Sequence, residues 1–167
     1  MRRAAILGLG GRGQFWLKTA LRSGWQVSGF DPDPAAMPAN RHSEWQRENT
    51  ISGTVKDADW IMCCLPERLE LMQKVIQRAQ AEAPEACIIA VDTRFDVEDV
   101  QSCAMRRGQL VQVTHDAENG FALSVTALNE PAIKEEATAT LAEFAAIIGI
   151  EPTHRPAEQA DASEQSA

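Results

Sequence analysis

What this sequence lacks narrows its function first. None of its four cysteines, Cys63, Cys64, Cys87 and Cys103, falls in a CxxC pair. Neither a zinc site nor a disulfide framework is indicated, and the thiols read as small buried hydrophobes of a reducing compartment. No apolar run approaches the roughly 18–20 residues that span a bilayer. The start, Met1-Arg2-Arg3 followed by Ala4 to Gly11, is interrupted by Arg12 with no small-residue cleavage site beyond it, unlike a secretory signal. Positive charge is scarce: 16 Lys and Arg stand against 24 Asp and Glu, a net charge of −8. With no basic cluster to override that balance, nucleic acid and anionic membrane are poor partners. The four tryptophans, Trp16, Trp25, Trp45 and Trp60, have no interleaved basic residues and suggest packing rather than stacked bases. No solenoid repeat is present. These absences point to a cytoplasmic globular chain of one domain. Its 167 residues, 44% of them apolar, suffice to bury roughly 70% of the unfolded surface without a staple.

What is present is an alternation of strands and helices. Residues 4–8, Asp59–Leu65 and Cys87–Val91 read as strands from their apolar runs, Gln26–Phe30 and Leu110–Val113 read as strands beside them, and 51–55 as a further short strand. Between them, Leu17, Ala20, Leu21 and Gly24 share one helical face, as do Leu69, Met72, Ile76 and Ala79. The pattern predicts helices from Arg12, over Glu67–Glu82, over Val97–Arg107 and from Pro131 to Gly149, with a proline-rich loop from Pro32 to about Asn49. Phe121–Leu128 suits an antiparallel strand. Continuously apolar strands interleaved with helices imply a doubly wound α/β fold, a mostly parallel sheet covered on both faces. Residues 156–167 carry no large hydrophobe and read as a disordered polar tail, leaving 1–155 as the domain.

One motif sits where such a fold binds ligands. Gly8-Leu9-Gly10-Gly11-Arg12-Gly13 has G-x-G-x-x-G spacing, follows the first strand and opens the first helix. Gly8 allows a tight turn, Gly10 lets backbone approach a pyrophosphate, and Gly13 permits close helix–sheet packing. Asp31 closes the second strand 18 residues after Gly13, where a carboxylate binds the ribose hydroxyls of NAD and repels the extra phosphate of NADP. The alternative for Asp31 is a turn-forming residue before Pro32. A nucleotide triphosphatase loop is excluded, because Gln14-Phe15 stands where Lys-Ser or Lys-Thr is required. Arg12 is unusual at a position that packs under the turn.

Ligands of doubly wound sheets lie outside the carboxyl ends of the strands. Three polar sets fall there: Glu67 after Leu65-Pro66, Asp92-Thr93-Arg94 after Val91, and His115 after Val113-Thr114. His115 is a candidate general base for alcohol oxidation, since histidine is the side chain most often used for that work, and its bland alternative is a solvated loop histidine. Glu67 equally suits the first turn of its helix. His42 and His154 are isolated, and no metal set is evident.

The sequence resembles the NAD-binding domain of the 3-hydroxyacyl-CoA dehydrogenase family, in the flavour of its carnitine dehydrogenase and gulonate dehydrogenase (lambda-crystallin) branch. The likeness covers most of residues 3–155. It rests on Gly8–Gly13 with Trp16, on Asp31, on Asp57-Ala58-Asp59, on Leu65-Pro66-Glu67-Arg68-Leu69-Glu70-Leu71, on Cys87–Val91, on His115 and on Pro131–Gly149. It implies NAD held by the glycine loop (Gly8, Gly10, Gly11, Arg12, Gly13), Asp31, Leu65, Pro66, Glu67 and Asp92, with His115 as catalytic base. It also implies a place in fatty acid metabolism.

Several positions depart from the family. Thr126 stands for the glutamate that pairs with its histidine. Arg94 stands for its substrate-binding serine, Glu118 for an asparagine and Met72 for a lysine. The stretch from Asp31 to Asp59 is too short for the helical hairpin that helps hold coenzyme A, and the all-α C-terminal domain is not represented. A homodimer or a separate helical partner would then close the cleft. Two functions follow. One is an NAD-dependent oxidoreductase acting on a 3-hydroxy acid or its thioester, with Arg94 pairing a substrate carboxylate. The other is a catalytically degenerate NAD(H)-binding module that senses cofactor or binds a partner; a different adenine-containing ligand is a third possibility.

Overall fold

The computed structural model describes residues 2–36, 42–116, 120–149 and 153–154. Its strands are β1 (Arg3–Leu7), β2 (Gln26–Phe30), β3 (Trp45–Arg47), β4 (Trp60–Cys63), β5 (Ile88–Asp92), β6 (Leu110–Asp116), β7 (Gly120–Ser124) and β8 (Thr153–His154). They form one sheet in the order β3-β2-β1-β4-β5-β6-β7-β8. All neighbours are parallel except β6 and β7, which pair antiparallel with His115 opposite Phe121. The helices are α1 (Gly11–Arg22), α2 (Ile51–Val55), α3 (Leu69–Glu82), α4 (Val97–Gln101) and α5 (Pro131–Ile148). The doubly wound α/β architecture expected from the sequence is the one observed.

The continuous apolar strands are explained by two cores, because successive side chains point to opposite faces of a strand. Ala4 and Ile6 of β1, Met62 of β4 and Ala90 of β5 pack with Leu17 and Ala20 of α1 and Leu141 and Phe144 of α5. Their neighbours Ala5, Leu7, Ile61, Cys63, Ile89 and Val91 pack with Val55 of α2, Met72 and Ile76 of α3 and Val100 of α4. Trp16, Trp25 and Trp60 are all buried and surround Phe144 at ring-centre distances of 5.4 to 6.3 Å. The tryptophans are thus core residues, and truncating Phe144 to Ala should cost about 3–5 kcal/mol. Gly149, with φ 77°, ends α5 in the left-handed conformation.

Three local expectations differ from the structure. Residues 51–55 form a helix rather than a strand, because the Thr50 hydroxyl accepts from the Gly53 amide at 2.9 Å and starts a turn. The edge strand is instead β3, inside the stretch expected to be loop; it pairs with β2, and its Trp45 ring fills the space that a side chain at Gly29 would need. The helix expected over Val97–Arg107 stops at Gln101. Beyond it the backbone bonds outward: the Met105 backbone N–H donates to Gln80 Oε1, and the Cys103 carbonyl accepts from Gln77 Nε2. Residues 156–167 and Glu118 lie outside the described residues. Among those described, no helix is long and apolar enough to cross a membrane and no cluster of metal-ligating side chains occurs.

Candidate functional site

The glycine loop turns between β1 and α1 at the carboxyl edge of the sheet. Gly8 has φ 98°, and a Cβ there would lie 2.1 Å from the Cys64 carbonyl oxygen; one at Gly13 would lie 1.7 Å from the Gly8 carbonyl oxygen. These two glycines are therefore imposed by packing. Gly10 and Gly11 are different, since nothing lies within 4 Å of a Cβ built on either. Gly10 is also the N-cap of α1 and no side chain caps it, so amides of the first turn remain for a ligand. An open, uncapped helix start is the cradle a pyrophosphate would fill.

Asp31 sits on the β2 side of this loop. Its carboxylate accepts from the Leu9 amide at 2.8 Å and from the Asp33 amide at 2.8 Å. It holds both the glycine loop and its own turn, and each oxygen keeps a further acceptor site. Arg47 of β3, which the sequence did not single out, fixes the same turn by donating to the carbonyls of Asp31, Asp33 and Ala36.

On the other side of the loop, over β4 and β5, the remaining predicted residues converge. Arg12 donates to the Leu65 carbonyl, to the Asp92 carbonyl at 2.7 Å, to Asp92 Oδ1 at 3.4 Å and to Glu67 Oε1 at 3.3 Å. Pro66 is exposed and its carbonyl accepts from the Arg68 amide at 2.7 Å. Glu67 Oε2 accepts from the Thr93 hydroxyl at 2.8 Å. Asp92 is 7% exposed and its Oδ2 accepts from Trp16 Nε1 at 2.7 Å. Burial pushes the Asp92 carboxyl above the ordinary aspartate range, opposed by the bond from Trp16 and the charge of Arg12.

Arg12, Glu67, Asp92, Arg94 and His115 line one cleft of about 600 Å³. Arg94 is exposed on its wall and pairs with none of the described residues. His115 is exposed too, its ring stacked on Phe15 with centres 4.3 Å apart and planes 10° apart, while Phe121 meets it edge-on at 5.2 Å. The polar lining also includes Gln112, whose amide donates to the carbonyls of Thr93 and Phe95 at 2.7 and 2.6 Å and so fixes the Arg94 loop. The one signal for Gln112 was a polar residue inside an apolar strand; nothing in the sequence marked Phe15. Thr126, matched by resemblance to the glutamate beside the histidine, lies elsewhere. It is buried in a network with Gln101 and Asn129, near the start of β6 and away from the cleft. Ala122 and Ser124 of β7, rather than Thr126, line this cleft, with Phe121 packed behind the His115 ring.

This geometry has relatives. No protein-family model matches the chain. Residues of the chain are 32% identical over 136 positions to an L-carnitine dehydrogenase/betainyl-CoA thioesterase of Ruegeria pomeroyi, covering 69% of this chain and 28% of that protein. They are 27% identical over 132 positions to an L-carnitine dehydrogenase of Streptomyces coelicolor, covering 66% and 42%. The (S)-3-hydroxybutyryl-CoA dehydrogenase of Ralstonia eutropha superposes with a TM-score of 0.81 at 14% identity, over 93% of this chain and 64% of that one. The chain is similar in sequence to L-carnitine dehydrogenases, and it shares its fold with 3-hydroxyacyl-CoA dehydrogenases. It spans less than half the length of the two carnitine dehydrogenases it matches. The same fold recurs in 5-formyl-3-hydroxy-2-methylpyridine 4-carboxylic acid 5-dehydrogenase, an NAD+-dependent dismutase, with a TM-score of 0.77 at 19% identity over 93% and 58% of the chains.

Proposed function

We propose that residues 1–155 are the dinucleotide-binding domain of an NAD(H)-dependent oxidoreductase acting on a 3-hydroxy acid or its thioester. The observation that carries this reading is the open, uncapped start of α1 at Gly10 and Gly11, flanked by Asp31 on one side and the His115 cleft on the other. The glycine loop would hold the pyrophosphate, Asp31 the adenosine ribose, and Leu65, Pro66, Glu67 and Asp92 the second nucleotide. Bound NAD supplies the hydride acceptor. His115 takes the hydroxyl proton, and Arg94 pairs with a substrate carboxylate, which favours a free acid over a coenzyme A ester. Because His115 and Arg94 are exposed, a second copy or a helical partner is assigned the task of closing the cleft.

Thermal unfolding with NAD, NADH and NADP tests the cofactor. A ligand at 100 times its dissociation constant adds about 2.7 kcal/mol, so NAD and NADH raise the midpoint and NADP does not. His115→Ala then keeps that shift and loses oxidation of 3-hydroxy acids. No shift with any nucleotide refutes the reading. The second reading, a non-catalytic NAD(H)-binding module, is favoured by one observation: Phe15 and Phe121, not a carboxylate, are the side chains packed on His115. Oxidation of any 3-hydroxy acid that depends on His115 excludes it.

A further inference from the structure

Arg12 lies inside the glycine motif, yet its guanidinium is turned away from α1 and spent on four acceptors at the ends of β4 and β5. These are the carbonyls of Leu65 and Asp92 and the carboxylates of Glu67 and Asp92. A dinucleotide in a doubly wound sheet lies across the point where strand order reverses, here between β1 and β4. Asp31 at the end of β2 marks the adenosine half. The nicotinamide half therefore falls over β4 and β5, where the guanidinium is. A nicotinamide amide needs carbonyl acceptors, and Arg12 already donates to the Leu65 and Asp92 carbonyls that this half presents. The guanidinium also places a positive charge beside the cationic ring of oxidised nicotinamide.

We propose that Arg12 is a specificity-determining residue that selects against the nicotinamide end, so that the site binds ADP-ribose, the dinucleotide without its base, at least as tightly as NAD. The proposal rests on the dinucleotide site read above and, of the two readings of that site, favours the non-catalytic one. To gain the nicotinamide's amide contacts the protein must first release Arg12 from the carbonyls of Leu65 and Asp92, a cost that ADP-ribose avoids. Arg12 also offsets the charge of the buried Asp92, a structural role that would alter affinity for both ligands alike and leave their ratio unchanged.

The experiment is calorimetric titration of the full chain with NAD and with ADP-ribose, for the wild type and for Arg12→Met and Arg12→Gln. The expected wild-type result is a dissociation constant for NAD equal to or larger than that for ADP-ribose. In the variants the affinity for NAD rises about tenfold relative to ADP-ribose, equivalent to about 1.4 kcal/mol. Arg12→Gln keeps an uncharged donor for the Leu65 and Asp92 carbonyls should Arg12→Met fold poorly, and the wild-type ratio needs neither variant. Tenfold tighter wild-type binding of NAD overturns the proposal while leaving the cofactor reading intact. An unchanged ratio in the variants overturns it as well. Binding of neither ligand overturns both.

Discussion

Replacing Trp16 by Phe separates packing from electrostatics at the floor of the cleft. Trp16 is 1% exposed and its indole N–H donates to Asp92 Oδ2 at 2.7 Å. Phe keeps most of the aromatic packing and deletes the donor. A hydrogen bond to a charged group contributes about 1.5–3 kcal/mol, and the void left by the smaller ring costs roughly 1 kcal/mol more. The expected loss is about 2.5–4 kcal/mol at neutral pH, a midpoint fall of about 5–15 °C for a chain of this size. Urea unfolding followed by far-UV circular dichroism measures it without depending on tryptophan emission. The same substitution in an Asp92→Asn background meets a neutral acceptor, whose bond is worth about 0.5–1.5 kcal/mol, so the two changes should couple by about 1 kcal/mol or more. Asp92 also dictates a sign with pH. Its folded pKa is raised above the unfolded value of 3.8, so the folded state binds the extra proton. The associated stability is full below 3.8 and is lost as pH rises through the raised folded value. The stability of Asp92→Asn relative to wild type should therefore climb across that window. Equal costs of Trp16→Phe in both backgrounds, or a relative stability flat with pH, would refute this account.

Two glycine substitutions should part stability from binding. Gly10→Ala meets open space and should change stability by no more than about 0.5 kcal/mol, while the methyl on the cradle reduces the midpoint shift given by NAD. Gly13→Ala brings a methyl to 1.7 Å from the Gly8 carbonyl oxygen; it should destabilise by about 3 kcal/mol or more even without ligand. Thiol labelling should separate the cysteines: Cys63, Cys64 and Cys87 are buried, and burial pushes the Cys63 thiol up to about 12. Only the half-buried Cys103 should react in the native protein, with the other three released by urea.

What the sequence determined by itself is the part governed by local spacing. Runs such as Ala4–Leu7 and Ile88–Val91 are apolar at every position, which only a strand covered on both faces requires, and the glycine spacing places a tight turn at the first helix. The gathering of Asp31, Glu67, Asp92, Arg94 and His115 along one edge was legible because strand ends in such a sheet share that edge. The short segments were not legible. A single threonine bond makes 51–55 a helix, and β3 is three residues that become a strand only beside β2. Tertiary structure alone decided what surrounds each polar group. Phe15 stacks on His115, Trp16 reaches Asp92 across 76 residues of chain, and Thr126 is carried to the far end of β7. It also decided where Arg12 points. A motif fixes the backbone of a glycine loop, but the direction of a long cationic side chain is set by which buried acceptors the rest of the fold leaves within reach.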